Sequence, residues 1–110
     1  MPTPFQEAVY KALEKIPEGR VTTYGAIARH LNTKAVRAVG TAVGKNPYAP
    51  KVPCHRVVPA SGRIGSYSGE GGVARKIELL HREGLIVEKG KIVDFEKRMY
   101  DFGDPKERVC

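Results

Sequence analysis

The stretch RVTTYGAIARHLNTKAVRAVGTAVGKNP, residues 20–47, decides the expected fold because it predicts two short helices joined by a tight turn. Either threonine of its TT pair can cap the first helix, and Asn32 is a stop signal for that helix. Thr33 can cap the second helix, which Asn46 and Pro47 close because proline disfavours helix in the residue before it. Two short helices across a tight turn are typical of a helix-turn-helix.

The second helix of this pair is rich in small residues, which are Ala35, Ala38, Gly40, Thr41, Ala42 and Gly44. A glycine inside a helix costs about 1 kcal/mol relative to alanine, but it lets the backbone come very close to another surface. Two interpretations therefore stay open. The helix packs tightly in the core, or it approaches a DNA groove with Arg37 projecting from it.

One more helix is predicted before this pair. Thr3 and Gln6 fit a capping box, and Pro4 suits the first helical position. Apolar residues then follow at helical spacing as far as Ile16, and the PEG stretch after it ends the helix.

The second half of the chain predicts a long loop followed by a helix. Residues 47–72 hold several prolines and glycines, with short extended pieces at RVV and RIG, and a long loop in a compact domain is usually functional. Residues 73–83 predict a helix, with Gly84 just past its end. The expected inward face of this helix consists of Val73, Ile77 and Leu80.

The C-terminal part predicts a small hairpin, LIVEKGKIV, that turns at Lys89 and Gly90, and a short terminal helix over DFEKRMYDF. A helix-turn-helix followed by a hairpin suggests a winged helix. The expected fold is therefore mostly α with small β elements, a winged helix-turn-helix-like DNA-binding domain that forms one domain over residues 1–110.

The composition favours a nucleic-acid partner without proving one. The 110 residues carry a formal net charge of +7, and the basic residues are spread along the chain. No apolar run is long enough to span a membrane, and the N-terminus lacks the pattern of a signal peptide, so we expect no membrane association and a cytoplasmic location, or a nuclear one in a eukaryote. The two cysteines, Cys54 and Cys110, are expected to form no disulfide, and no zinc-ligand spacing is present.

Cys54 lies in VPCHRVV, residues 52–58, directly before two groups that can hold positive charge. A thiol attacks as the thiolate and needs a base or a positive field nearby. In an extended chain the side chains of Cys54 and His55 point to opposite faces, so the two interact only through a turn at Pro53 or through a bridging water. An inert core cysteine is the common alternative, and His30 and His81 are expected to be partly exposed helix residues.

A histidine that acts as a base is usually oriented by a carboxylate on its other nitrogen. The candidates are Glu70, Glu78 and Glu83, and the residues alone leave the choice among them open.

The chain resembles the C-terminal domain of the O6-alkylguanine-DNA alkyltransferases, also called methylated-DNA–protein-cysteine methyltransferases. The resemblance extends from about residue 4 to about residue 86. The motifs that carry it, in family order, are TTYGAIA (22–28), RAVGTAVGKNP (37–47), PCHRVV (53–58), GSYSG (65–69) and LLHREG (79–84).

The resemblance implies that the protein binds duplex DNA, flips out an O6-alkylated guanine and accepts the alkyl group on Cys54, once per molecule. His55 would then act as a base through a water molecule, and Glu83 would orient it and stabilise its charge. Asn46 would brace the turn that carries the cysteine. Tyr24 would crowd the phosphate and hydrogen-bond the guanine as its O6 leaves. The implied partner is duplex DNA containing O6-alkylguanine, bound by a monomer without cofactor or metal.

The resemblance also assigns DNA and pocket contacts. Arg37 would fill the gap left by the flipped base, and the helix with Ala38, Gly40 and Thr41 would enter the minor groove. The residues implied to form the substrate pocket are Tyr67, Ser68, Val43 and Ala49.

Three departures from the family pattern bear on these expectations. The family usually carries a further N-terminal domain that is absent from these residues. SGEGGVARK is about two residues longer than the common family spacing, and Ala49 stands where many relatives have proline. Both pocket differences suggest a looser pocket that tolerates larger alkyl groups.

Three other functions compete with alkyl transfer as explanations of these residues. An alkyltransferase-like binder recognises alkylated DNA without transfer, and its relatives are similarly short with a similar basic, aromatic tail, but they typically replace the cysteine. A winged-helix transcription regulator explains the charge and the helix pair but not PCHR with LLHREG. A cysteine hydrolase needs an oxyanion site and explains neither the charge nor the small-residue helix.

Overall fold

The computed structural model describes residues 3–46, 51–65 and 71–102. Its elements, in chain order, are α1 (Pro4–Glu14), β1 (Thr22–Thr23), α2 (Tyr24–His30), α3 (Val36–Gly44), a 3-10 turn (Cys54–Arg56), β2 (Val57–Val58), α4 (Gly72–Arg82), β3 (Val87–Glu88), β4 (Lys91–Ile92) and α5 (Phe95–Arg98). The expectation of a mostly helical fold with small β elements is confirmed. None of these helices is long and apolar enough to cross a membrane.

Helix α1 begins as its sequence predicts. Thr3 accepts a hydrogen bond from the Gln6 backbone, and the Gln6 side chain accepts one from the Thr3 backbone, so the capping box is complete. Pro4 occupies the first helical position, and Val9 and Leu13 are fully buried. The apolar stripe of α1 therefore faces the core.

Helices α2 and α3 form the predicted pair, but α3 begins later than expected. Thr23 caps α2 by accepting a hydrogen bond from Ala26 at 3.0 Å. The prediction that Thr33 caps α3 is wrong, because the Thr33 hydroxyl accepts from the Ala35 backbone, and Ala35 itself precedes the helix without a side-chain cap. The turn between the helices therefore takes up residues that were expected to be helical.

A short parallel pairing joins the strand before α2 to the strand after the cysteine turn. Strand β1 pairs with β2 in the register Thr22 to Val57 and Thr23 to Val58. The 3-10 turn directly precedes β2 and α2 directly follows β1, so the turn and the helix extend from opposite ends of this two-residue ladder. These few backbone hydrogen bonds connect the segment that carries Cys54 with the segment that leads into α2.

The apolar interior divides into two clusters. The first lies among α1, α2, α3 and the 3-10 turn, and it includes Val9, Leu13, Ile27, Val39 and Cys54. The second packs α4 and the β3–β4 hairpin against β1 and β2, and it includes Val21, Val58, Ile64, Leu80, Leu85 and Ile92. The cysteine turn and β2 lie at the boundary between the clusters.

Helix α4 buries Leu80 and partly buries Ile77, as predicted, but it does not turn Val73 inward. Val73 is 43% exposed, so the expectation that it faces the core is wrong. Lys76 is 0% exposed and is buried with Leu79 and Leu80. Gly84 has φ of +92° just past the helix, where glycine is the residue that adopts this conformation at least cost, as predicted.

The hairpin turns where the sequence predicts it, with positive φ at Lys89 and Gly90. It pairs with the segment around residues 62–64, through Ile64 N–H to the Gly90 carbonyl and Ile92 N–H to the Gly62 carbonyl, both at 2.9 Å. The hairpin thus belongs to the second cluster and not to α3.

The terminal helix is shorter than predicted. Helix α5 ends at Arg98, and the chain then extends alongside Val21. The Tyr100 N–H donates to the Val21 carbonyl at 2.7 Å, and the Thr22 hydroxyl donates to the Tyr100 carbonyl at 2.7 Å. Pairing with the segment before α2 replaces the last helical turns.

Gly65 is held in a crowded position with φ of +71°, and Gly90 is in open space with φ of +77°. A Cβ on Gly65 would lie 2.8 Å from Cδ of Pro59, whereas a Cβ on Gly90 would meet nothing within 4 Å. We expect Gly90→Ala to lower the free energy of unfolding by about 1 kcal/mol and Gly65→Ala by about 2 kcal/mol more, measured by urea unfolding. Equal losses would contradict this packing of Pro59 against Gly65.

Candidate functional site

The cysteine lies in a tight backbone turn. The Cys54 N–H donates to the Val52 carbonyl at 2.8 Å, and the Arg56 N–H donates to the Pro53 carbonyl at 3.0 Å. The backbone therefore turns at Pro53, which is the arrangement that the sequence required for Cys54 and His55 to act together. Cys54 is a free thiol that is 4% exposed, so the sulfur is nearly closed off from solvent.

One carboxylate, that of Glu83, holds both residues that follow the cysteine. His55 Nε2 lies 2.9 Å from Glu83 Oε2. Arg56 donates to the same carboxylate from Nε at 2.9 Å and from Nη2 at 2.7 Å. Of the three candidates, Glu83 is thus placed against His55. Glu78 pairs with Arg75 and Arg82 on the helix surface, and Glu70 lies outside the described residues.

The charges of Glu83, Arg56 and His55 determine which of these groups carry protons. Burial raises the pKa of Glu83, but hydrogen bonds from Arg56 and His55 outweigh it and lower the pKa below its ordinary value. An ionised carboxylate only accepts, so His55 Nε2 must carry the hydrogen. Burial lowers the pKa of His55 against the opposing pull of Glu83, so the imidazole is neutral at pH 7.

The remaining ring nitrogen is the basic one. In a neutral imidazole that donates from Nε2, Nδ1 has a free lone pair. Nδ1 of His55 is buried and has no hydrogen-bond partner among the residues that the structure describes. The turn therefore presents a thiol and, on the next residue, an imidazole nitrogen able to take a proton.

Arg56 ties this site to the first helix, a role that the sequence reasoning missed. Its Nη1 donates to the Ile16 carbonyl at 2.7 Å while its other nitrogens hold Glu83. A planar guanidinium can make these contacts together, whereas a lysine ammonium cannot. The sequence signal that could have indicated this role is the position of Arg56 directly after Cys54 and His55 in the motif.

Asn46 supports the turn from the end of α3. Its Nδ2 donates to the Val52 carbonyl at 2.8 Å, the same oxygen that accepts from the Cys54 N–H. This contact has the geometry expected of a brace for the cysteine turn.

The sequence reasoning also missed Lys76, which is buried in α4. Its Nζ donates to the Val57 carbonyl at 2.9 Å and to the Ile64 carbonyl at 2.5 Å. Burial lowers the pKa of Lys76 to about 8, although the field of Cys54 raises it. The sequence signal for this burial is helical spacing. Lys76 lies three residues before Leu79 and four before Leu80, so it shares their face of the helix.

A groove opens between the start of α2 and the outer face of α3. Its volume is about 540 Å³, and it is lined by Tyr24, Val36, Arg37, Gly40 and Thr41. Burial raises the pKa of Tyr24, and the field of Cys54 raises it further, so the phenol stays protonated and can donate. Tyr24 thus connects the groove with the cysteine site.

Helix α3 packs one side against the core and leaves the other side exposed. Val39, Ala42 and Val43 face the core, whereas Arg37, Ala38 and Thr41 are exposed. A Cβ on Gly40 would lie 3.8 Å from the Tyr24 ring, so this glycine borders the groove. One side of α3 therefore packs tightly and the other offers a narrow surface of small side chains.

The predicted pocket residues are only partly described. Val43 is 6% exposed and packs in the same cluster as Cys54. Ala49, Tyr67 and Ser68 lie outside the described residues, as do the first three residues of the lengthened SGEGGVARK segment. Their pocket roles and the tolerance for larger alkyl groups stay predictions.

His30 and His81 are outside this site. His81 is exposed, and His30 is half-buried and stacks on Phe102 with the ring centroids 4.4 Å apart. The expectation of partly exposed helix residues is confirmed.

Residues 4–85 match the family model described as 6-O-methylguanine DNA methyltransferase, DNA binding domain. A methylated-DNA–protein-cysteine methyltransferase of Shigella flexneri is 48% identical over 86 residues, and one of Methanosarcina acetivorans is 48% identical over 83 residues. The matches cover 77% and 74% of this chain but 49% and 52% of the relatives. The chain thus spans about half the length of these curated relatives.

Two solved structures extend the likeness. Mycobacterium tuberculosis OGT in complex with DNA is 49% identical with a TM-score of 0.71, covering 76% of this chain and 51% of that one. S. pombe Atl1 in complex with damaged DNA containing O6-carboxymethylguanine is 31% identical with a TM-score of 0.77, covering 91% of this chain and 98% of that one.

We predict that His55 is neutral at pH 7, with its hydrogen on Nε2, because burial lowers its pKa and Glu83 accepts from Nε2. Long-range ¹H–¹⁵N NMR spectra report the tautomer, and a pH titration reports the pKa. Glu83→Gln removes the opposing carboxylate and should lower the pKa of His55 further, whereas Glu78→Gln on the helix surface should leave it unchanged. A hydrogen on Nδ1, or a higher pKa in Glu83→Gln, would contradict the arrangement.

Proposed function

The chain belongs to the 6-O-methylguanine DNA methyltransferase family, and from that premise we propose that it moves the alkyl group of O6-alkylguanine in duplex DNA to Sγ of Cys54. The observation that carries the proposal is the connection of Glu83 to His55 at 2.9 Å on the residue next to the free thiol. A sulfur, a neutral imidazole and an ionised carboxylate in this order form an activated nucleophile.

The transfer step uses these groups as follows. His55 Nδ1 takes the thiol proton through a water molecule, and Glu83 stabilises the imidazolium that forms. The thiolate attacks the alkyl carbon, so an S–C bond forms while the C–O6 bond breaks and its electron pair goes to the guanine. The guanine takes up one proton, with Tyr24 hydrogen-bonded to it as O6 leaves. The products are an unmodified guanine and a thioether on Cys54.

Because the Cys54 sulfur is nearly closed off from solvent, transfer requires the damaged base to flip out of the duplex. A residue that is 4% exposed is out of reach of a base stacked inside a duplex, so the damaged nucleotide must leave the stack and enter the site. Asn46 braces the turn that receives it. Tyr67, Ser68, Val43 and Ala49 complete the pocket in this proposal.

Helix α3 is the element that we assign to the minor groove, in a winged helix-turn-helix-like domain over residues 1–110. Its exposed Ala38 and Thr41, with Gly40 beside the groove, permit close approach without reading base edges, which suits a search for damage in any sequence. Arg37 lies exposed on the same face to fill the space of the flipped base. The net charge of +7 favours the phosphate backbone.

A second candidate is a binder that recognises alkylated guanine without transfer. The likeness to S. pombe Atl1 favours it, since that match covers nearly the whole of both chains. The free thiol of Cys54 and the neighbouring His55–Glu83 pair favour transfer, because a binder has no use for an activated thiol. We therefore place transfer first.

A thioether is stable, and we propose no group that removes it from Cys54. Each molecule then acts once, as a monomer without cofactor, in the cytoplasm or in the nucleus of a eukaryote. The matched half of the longer relatives is in this proposal their C-terminal domain.

Intact-mass measurement separates transfer from binding. The protein is mixed with a duplex that contains one O6-methylguanine, and we expect its mass to increase by one CH₂ group, located on the peptide with Cys54. Cys54→Ala should bind the duplex without a mass change, and a duplex with unmodified guanine should leave the wild-type mass unchanged. Tight binding of the methylated duplex by the wild type without a mass change would establish the binder instead.

A further inference from the structure

The chain that follows α5 contacts both ends of α2. The Val21 N–H donates to the Arg98 carbonyl at 3.0 Å, and the Val21 carbonyl accepts from the Tyr100 N–H at 2.7 Å, shortly before α2 begins. The last residue of α2, His30, stacks on Phe102 with the ring centroids 4.4 Å apart. Residues 98–102, which we call the C-terminal strap, therefore hold α2 at its beginning and at its end. The strap lies beyond residues 4–85, which match the family model.

Helix α2 depends on such contacts for its position. It has 7 residues, and its buried residues are Ala26, Ile27 and Ala28, two of which have very small side chains. Isolated helices shorter than about 12 residues are marginal in water, so a helix of this length is fixed by the segments that pack against it.

Thr22 joins the strap to the strand that follows the cysteine turn. Its hydroxyl donates to the Tyr100 carbonyl at 2.7 Å, and its backbone pairs with Val57 in the ladder of β1 and β2. Its side chain is fully buried, so little water competes for this hydrogen bond. The next residue, Thr23, caps α2, and Tyr24 begins the helix. Thr22 thus connects the strap with β2 and with the start of α2.

The end of the strap is held by aromatic contacts. Phe102 has φ of +62°, in the left-handed region that bulky side chains avoid. Its ring contacts the His30 ring and, edge to face, the Tyr100 ring, with the last two centroids 4.9 Å apart. Tyr100 and Phe102 also pack against the first apolar cluster. These contacts therefore maintain a backbone conformation that Phe102 alone would not favour.

The groove is sensitive to the position of α2, because α2 and α3 both line it. Tyr24 comes from α2, and Arg37, Gly40 and Thr41 come from α3. A Cβ on Gly40 would lie 3.8 Å from the Tyr24 ring, so the two helices lie close together here. Misplacing a positioning group by about 1 Å can slow a reaction about a hundredfold.

We propose that the C-terminal strap is a positioning element for the DNA groove, because it sets where α2 presents Tyr24 beside α3. It acts through two contacts, the Thr22–Tyr100 hydrogen bond and the His30–Phe102 stack. This inference rests on the proposed function, since it assigns the strap to the placement of Tyr24 against the flipped guanine.

The first test needs no DNA. Thr22→Val keeps nearly the same shape of side chain and removes the hydrogen bond to Tyr100. We expect the Tyr100 amide and the Leu31 amide at the end of α2 to exchange hydrogen about tenfold faster in this variant, relative to the amides of α4. The ratio to α4 cancels a general loss of stability, and NMR measures each amide separately. An unchanged ratio in folded Thr22→Val, with folding checked by circular dichroism, would overturn the proposal.

Two further variants control the exchange measurement. Thr22→Ser keeps the hydroxyl and should restore the exchange ratio of the wild type. Thr3→Val removes the capping hydrogen bond of α1 at a similar cost in stability and should leave the ratio for α2 unchanged. An equal rise in Thr3→Val and Thr22→Val would show that any loss of stability loosens α2, and it would also overturn the proposal.

The second test measures single-turnover methyl transfer from an O6-methylguanine duplex in a double-mutant cycle. If Thr22 acts through Tyr24, Thr22→Val should slow transfer about tenfold when Tyr24 is present and by no more than about twofold in the Tyr24→Phe background. Thr3→Val should transfer at close to the wild-type rate. Equal slowing in both backgrounds, or no slowing in Thr22→Val, would overturn the proposal.

Phe102→Leu tests the other end of α2, in case Thr22→Val does not fold. It keeps an apolar side chain but loses the stack on His30, and we expect faster exchange at Leu31 relative to α4. An unchanged ratio in folded Phe102→Leu would overturn the proposal. The exchange measurements involve no DNA, so faster exchange in α2 in a protein that transfers no methyl group would remove the proposed function and leave the hold of the strap on α2 standing.

Discussion

The carboxylate of Glu83, at the end of α4, is the group on which the site depends. It accepts from His55 and from two nitrogens of Arg56, whose third nitrogen holds the Ile16 carbonyl at the end of α1. A single anion thus fixes both residues after the cysteine and connects the two apolar clusters. Removing one partner of such a partly buried pair leaves the other charge unpaired, which typically costs several kcal/mol. The Glu83 oxygen atoms therefore both stabilise the fold and orient His55.

The pairing of His55 with Glu83 explains how a nearly closed thiol can still be reactive. Burial alone disfavours a thiolate, so an inert cysteine would be the ordinary outcome at 4% exposure. Here the neutral ring of His55, on the residue next to Cys54, can take the proton. A closed site also strengthens these interactions, because little water screens them. Burial and reactivity are compatible when a proton acceptor lies on the residue next to the thiol.

Local sequence signals predicted what local interactions decide. The capping box at Thr3 and the turn at Gly90 form as expected, because the residues within each motif determine its backbone conformation. Thr33 failed as a cap because the turn between α2 and α3 used its hydroxyl earlier. The burial of Lys76 was not predicted, because lysine is normally a surface residue and its carbonyl partners here come from distant segments. The choice of Glu83 came from the family resemblance, since spacing alone could not bring α4 to the cysteine turn.

The most direct measurement of the central claim is the single-turnover rate of methyl transfer from an O6-methylguanine duplex to Cys54 in wild type, Glu83→Gln and Glu78→Gln. Glu78 lies on the same helix, exposed and paired with Arg75 and Arg82, so its change controls for lost charge. If Glu83 maintains the base, Glu83→Gln should slow transfer about a hundredfold or more at saturating DNA, with affinity for the duplex retained and Glu78→Gln near wild type. Transfer at the wild-type rate in folded Glu83→Gln would contradict the account.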